Sequence, residues 1–173
     1  IAPGEVDAAI VDSQRRIVEA LDLDRSALFQ VMADGDVIFT HAWTRPELDI
    51  PLGPVSANRD FPWFMSRLRA GETVIVDDPD DPQAVPSSID RTNMKRVATR
   101  STVALPLVVG GEFIGVQTFA SLQAGRPVRR DLIDRMRLVG HVFAHALQQR
   151  RSQAALEASL AEVSRLRDLL SRD

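Results

Sequence analysis

The segment from Arg100 to Phe119 constrains the fold more than any other part of this chain. It reads Arg-Ser-Thr-Val-Ala-Leu-Pro-Leu-Val-Val-Gly-Gly-Glu-Phe-Ile-Gly-Val-Gln-Thr-Phe. Apolar and β-branched residues run to Val109, Gly110-Gly111 follows, and a second β-rich run starts at Phe113. Paired glycines reach the positive φ values that a tight hairpin turn needs, so the segment predicts two antiparallel strands. Pro106 within the first strand cannot donate to a ladder, which places it at a sheet edge or beside a bulge.

Other elements follow from periodicity. Val6, Ile10, Ile17 and Leu21 share one face of a helix over 4–22. An apolar run over 26–32, the turn Asp34-Gly35-Asp36 and a run over 37–43 predict a further hairpin. In its second strand Val37, Phe39, His41 and Trp43 alternate with Ile38, Thr40 and Ala42, giving one bulky face. Residues 44–59 hold three prolines and a glycine and read as a long loop. Asp60 stands where a cap would start a short helix over 61–69, closed by Gly71. A short strand over 73–76, an acidic loop from Asp77 and a weak helix over 88–97 lead into the central hairpin.

From Val128 the pattern is helical to the C-terminus, about 45 residues or roughly 65 Å, more than a domain of this size buries. Its first part carries Leu132, Ile133, Met136, Val139, Val142, Phe143 and Leu147. The rest carries Leu156, Leu160, Val163, Leu166 and Leu170 at coiled-coil spacings with one break, and Gln149, Gln153 and Arg167 weaken the seam. The chain opens on Ile1 and the helical pattern reaches its last residues, so the reading is of a segment from a longer polypeptide.

The order and spacing of these pieces resemble the GAF domain, a small-molecule-sensing module. The resemblance rests on Arg100-Ser101, Ala104, Pro106-Leu107, Gly110-Gly111 and Ile114-Gly115-Val116, with valine where the family usually has leucine. It implies an α+β fold with a PAS-like central antiparallel sheet, flanking helices and a long C-terminal signalling helix. Residues 1–150 are then the GAF-like sensory domain and 151–173 a coiled-coil linker. The tail looks like the linkers that follow GAF domains in bacterial sensor histidine kinases and enhancer-binding transcriptional regulators.

Composition narrows the chemistry. The 173 residues include no cysteine, which removes disulfides, thiolate ligands, cysteine nucleophiles and thioether-attached chromophores. It also sets aside the methionine sulfoxide reductases related to GAF domains, a resemblance that implies cysteines. The net charge of −3 argues against a broad nucleic-acid surface. No apolar run approaches membrane-spanning length, and a cytoplasmic location is expected.

Candidate ligand contacts are His41 and Trp43 on the bulky strand face, Trp63 and Phe64 (with Phe61) beside the proline-rich loop, and Arg100 and Ser101, where the resemblance places ligand contacts. Arg45 and Arg59 could also anchor an anion. Each has a plainer alternative: a half-buried core histidine, aromatics packed under a loop, or solvated strand ends. His41 could in principle ligate a haem. His141 and His145 lie four apart on one helix face, as metal chelation requires, but Val142 stands where a zinc hydrolase helix carries glutamate. Surface histidines are the expectation there, with no metal assigned and no cofactor identified. The acidic loop lacks calcium-loop spacing.

Three functions compete. A sensory module would bind a small molecule or partner and signal through a dimeric helical linker to a kinase or transcriptional output domain. A ligand-free structural dimerisation module is the alternative. Enzymatic activity is not expected. The homodimer surface should comprise Ile10 and Ile17 of the first helix with Val139, Val142, Leu156, Leu160 and Val163 of the last.

Overall fold

The computed structural model describes residues 3–48, 50 and 52–172. Five strands form one antiparallel sheet: β1 (Arg25–Val31), β2 (Val37–Thr44), β3 (Val74–Val76), β4 (Ser101–Val109) and β5 (Glu112–Ser121). Their order across the sheet is β2-β1-β5-β4-β3. The helices are α1 (Pro3–Ala20), α2 (Ala57–Asp60), α3 (Pro62–Arg69), α4 (Ser88–Arg96) and α5 (Ile133–Leu170). Helices α1 and α5 pack on one face of the sheet, and α2, α3 and α4 cover the other. This is the α+β architecture expected from the sequence.

The central hairpin forms as predicted. Val109 pairs with Glu112, leaving Gly110 and Gly111 as a two-residue loop with φ of 59° and 81°, the paired left-handed geometry that glycine adopts without steric cost. Pro106 lies past the end of β3, which pairs β4 only at Thr102–Ala104, so its stretch of β4 has a neighbour on one side. A register shift follows between Leu107 and Val108. Gly115 is required for a different reason: a Cβ there would lie 2.2 Å from the carbonyl oxygen of Phe29 on β1.

A second register shift changes the reading of β2. Leu28 pairs with His41 and Phe29 with Phe39, so Thr40 is an extra residue. Because side chains alternate with a period of two, one inserted residue reverses every orientation beyond it. Val37 and Phe39 therefore pack with the α3 and α4 side. Trp43 packs with the α1 and α5 side, and His41 reaches Asp7 of α1. The single bulky face expected for β2 is divided between the two sides of the sheet.

Two helix starts also differ from expectation. Asp60 ends α2 and does not cap α3; Phe61 is the cap residue and its side chain makes no capping bond. The N-terminus of α3 is capped from another helix instead. Asp90 of α4, fully buried, accepts from the backbone N–H of Trp63 at 3.2 Å and of Phe64 at 3.1 Å. The long loop contains a 3-10 turn at Pro46–Leu48 as well as α2. Helix α5 starts at Ile133, after a 3-10 turn at Arg130–Leu132 rather than at Val128.

The first half of α5 buries Met136, Gly140, Phe143, Ala144 and Leu147 against the sheet. Every residue from Ser152 to Arg172 is exposed, so the last part of the helix projects roughly 28 Å beyond the body. Of the expected interface residues, Ile10 is a correction. It is buried within the monomer with Leu28, Leu107 and Leu147 and offers nothing to a partner. Ile17 and Val139 are half-buried against the cluster of Val103, Phe119 and Met136, while Val142, Leu156, Leu160 and Val163 are exposed.

Candidate functional site: an apolar cleft with one buried arginine

The sheet face opposite α1 and α5 carries Ala27 of β1, Ala104 of β4 and Ala120 of β5. Where longer side chains would meet the helices, these alanines leave space. Phe64, Met65 and Leu68 of α3 and Met94 of α4 form the other wall, and the result is a cavity of about 80 Å³. It is small beside the roughly 300–1,000 Å³ of ordinary ligand sites. The lining is apolar except for Arg25 and the threonines Thr99, Thr102 and Thr118.

Arg25 opens β1 and alternates onto the same face as Ala27 and Phe29. It is 1% exposed. Its Nε donates to Thr44 Oγ1 at 3.1 Å, and its two terminal nitrogens donate to the carbonyl oxygens of Val97 at 2.8 Å and Ile50 at 2.9 Å. The arginine thus ties the start of β1 to the end of α4 and to the loop before α2. Desolvation pushes the guanidinium down to about 10, opposed only by neighbouring Asp24. It stays charged at neutral pH.

Of the residues anticipated from the sequence, Phe61 lines the cavity, as does Phe64. Trp63 stands behind Phe64, with ring centroids 5.1 Å apart and the Arg67 guanidinium 5.3 Å from the indole. The Thr40 bulge turns His41 and Trp43 to the opposite face of the sheet. His41 is buried there, with Nδ1 2.8 Å from Thr40 Oγ1 and Nε2 2.8 Å from Asp7 Oδ1. Arg150 of α5 donates to the same Asp7 oxygen at 2.7 Å. These two bonds, that to Arg150 first, hold the Asp7 carboxyl below the usual carboxylate range. The trio links α1, β2 and α5.

Ser101 also faces the helices, its Oγ accepting from the Val128 N–H at 3.0 Å; the next residue, Thr102, faces the cleft. Arg100 is part-exposed and lies 3.5 Å from Asp80 of the acidic loop. Arg45 donates to the Leu23 carbonyl, and Arg59 pairs with Asp60, whose carboxyl it holds below its ordinary range. None of these arginines lines the cleft. Arg25, which does, follows Asp24 at the start of a strand and looks like a solvated strand end. The signal that could have found it is its alternation with Ala27 and Phe29.

His141 and His145 are exposed on α5, with their Nε2 atoms 3.1 Å apart. Among the described residues, no group of three or more His, Cys, Asp or Glu could hold a metal ion. No helix among them is long and apolar enough to cross a membrane. The cleft lining contains no histidine or carboxylate among the described residues. Chemically it offers space for a small apolar body and a fixed positive charge at one end.

The profile of the GAF domain family matches residues 8–147. None of the curated proteins matches the sequence. Among solved structures, the chain is similar to the blue-light absorbing form of the Thermosynechococcus elongatus PixJ GAF domain. That likeness has a TM-score of 0.69 at 14% identity, covering 91% of this chain and 94% of that one. It is also similar to a domain assigned to a two-component sensor histidine kinase protein from Sinorhizobium meliloti 1021, with TM-score 0.64, 21% identity and coverage of 90% and 96%. A GAF domain/HD domain protein from Geobacter sulfurreducens gives TM-score 0.63, 19% identity and coverage of 83% and 92%.

Proposed function

The chain belongs to the GAF family, and from that premise we propose that it is a sensory input module whose ligand enters the cleft between the sheet and helices α3 and α4. The single observation that carries this reading is the cleft itself: a largely apolar space with a buried charged anchor, on a fold used for sensing. In this reading the module has no catalytic activity of its own. It passes its signal through a dimeric α5 to a kinase or transcriptional output domain.

The route of transmission follows from strand geometry. Ala104 faces the cleft, whereas its neighbours Val103 and Leu105 pack in the cluster with Met136 of α5. A ligand that displaces Ala104 therefore changes the surface against which α5 lies. The Asp7–His41–Arg150 link couples α1 to the same movement. Ligand binding then selects one packing of these helices over another, by as much as its affinity for the two packings differs. The exposed Val142, Leu156, Leu160 and Val163 carry that difference to a second copy of the chain.

The small volume of the cavity favours a second reading, a closed dimerisation module without a ligand. The two are separated by unfolding the protein in denaturant, dialysing, refolding, and adding the low-molecular-mass fraction of a cell extract. A ligand of the folded state raises stability by about 2.7 kcal/mol at a hundredfold excess over Kd. The sensory reading predicts a raised unfolding midpoint for the wild type and none for Ala104→Leu, which fills the cavity. No rise in either protein would favour the closed module.

A further inference from the structure

Among the described residues, Arg25 is the one charged residue of the cleft lining. Its three hydrogen bonds all go to neutral acceptors, Thr44 Oγ1 and the carbonyls of Val97 and Ile50. A guanidinium has five N–H donors, so two remain. Among the described residues, no carboxylate lies within ion-pair distance of it. The adjacent Asp24 is committed elsewhere, accepting from the Leu122 N–H at 2.8 Å, from Ser121 Oγ at 3.3 Å and from Gln123 Nε2 at 3.2 Å. The carbonyl at the C-terminal end of α4 offsets part of the charge, but a buried cation without an anion is costly.

We infer that the ligand of the cleft is a small monocarboxylate with a short apolar chain, its carboxylate held by Arg25; this rests on the sensory reading above. The planar fork of a guanidinium matches a carboxylate through two parallel bonds. Apart from the three threonines the rest of the lining, with Ala27, Ala104, Ala120, Phe64 and Met94, suits hydrocarbon, and it offers no second cation. A phosphate dianion would bring a further charge with nothing opposite it. The 80 Å³ of space limits the chain to a few carbons. Because Arg25 also holds the Ile50 loop and the end of α4, a carboxylate arriving there bears on both walls of the cleft at once.

The test is a calorimetric and thermal-unfolding titration of the refolded protein. The probes are acetate, butyrate and valerate, each beside its primary amide and the corresponding alkylamine, at constant ionic strength. Butyrate or valerate should bind about tenfold or more tighter than its amide, the difference expected of hydrogen bonds to a charged group, and the amines should not bind. Arg25→Gln should abolish the preference. Should that variant fail to fold, because three tethers are lost, Ala104→Leu retains Arg25 and should still lose all binding. Equal binding of amides and carboxylates overturns the inference and leaves a ligand-binding cleft. Failure of both series, with a different molecule found on the protein as purified, overturns it too while the sensory reading stands. Failure of both series with no ligand from cell extract overturns both.

Discussion

Asp90 does for α3 what no residue of α3 does for itself. Pro62 begins that helix without an N–H to satisfy, and the Asp90 carboxylate takes the next two, so one buried side chain joins α3 to α4. Replacing it with alanine leaves two N–H groups unpaired in the interior. Asp90→Ala should destabilise the protein by about 2 kcal/mol, measured by urea unfolding, and Asp90→Asn by about half as much. Gly115 is a second position where one atom decides. The Cβ of Gly115→Ala would meet the Phe29 carbonyl at 2.2 Å, and because the obstacle is backbone, β1 must move. The expected loss is about 2–3 kcal/mol in the same urea experiment; a loss under about 0.5 kcal/mol would mean that the β1–β5 approach relaxes freely.

Elements were legible where their signal is local. The hairpin of β4 and β5 was readable because Gly110-Gly111 sits between two β-rich runs, and α1 and α5 because apolar residues repeat at helical spacing. The faces of β2 were not readable, since the extra Thr40 leaves no mark in composition and only pairing with β1 reveals it. Likewise the true cap of α3 lies 27 residues from Trp63, beyond any local pattern. In the candidate site Phe61 and Phe64 were legible and Arg25 was not, because burial of a strand-end arginine is decided by the loop and helix that close over it. The Asp7–His41–Arg150 link carries an element-scale prediction. Asp7 has a lowered folded pKa, so its contribution is present above the unfolded value of about 3.9 and is lost as pH falls through the lower folded value. Asp7→Asn should therefore flatten the loss of stability below about pH 4. The effect is small because Asp7 is partly solvated, and an unchanged acid limb would show that the link does not contribute.

At the scale of the whole molecule, the sheet stands between the cleft on one face and helices α1 and α5 on the other. The projecting part of α5 exposes Leu156, Leu160, Val163 and Leu166, side chains that a second α5 could cover. Replacing Leu160 and Val163 together with aspartate should convert a dimer to a monomer by light scattering, without changing the unfolding of the body; an unchanged dimer would show that α5 does not pair as a coiled coil. The proposed sensor is a dimer that holds a small molecule in its cleft. Native mass spectrometry of the protein as purified, and again after denaturation, tests it most directly. The expected result is a dimer carrying an added small mass that departs when the protein unfolds. Protein of bare polypeptide mass, unchanged after incubation with cell extract or with valerate, would contradict it.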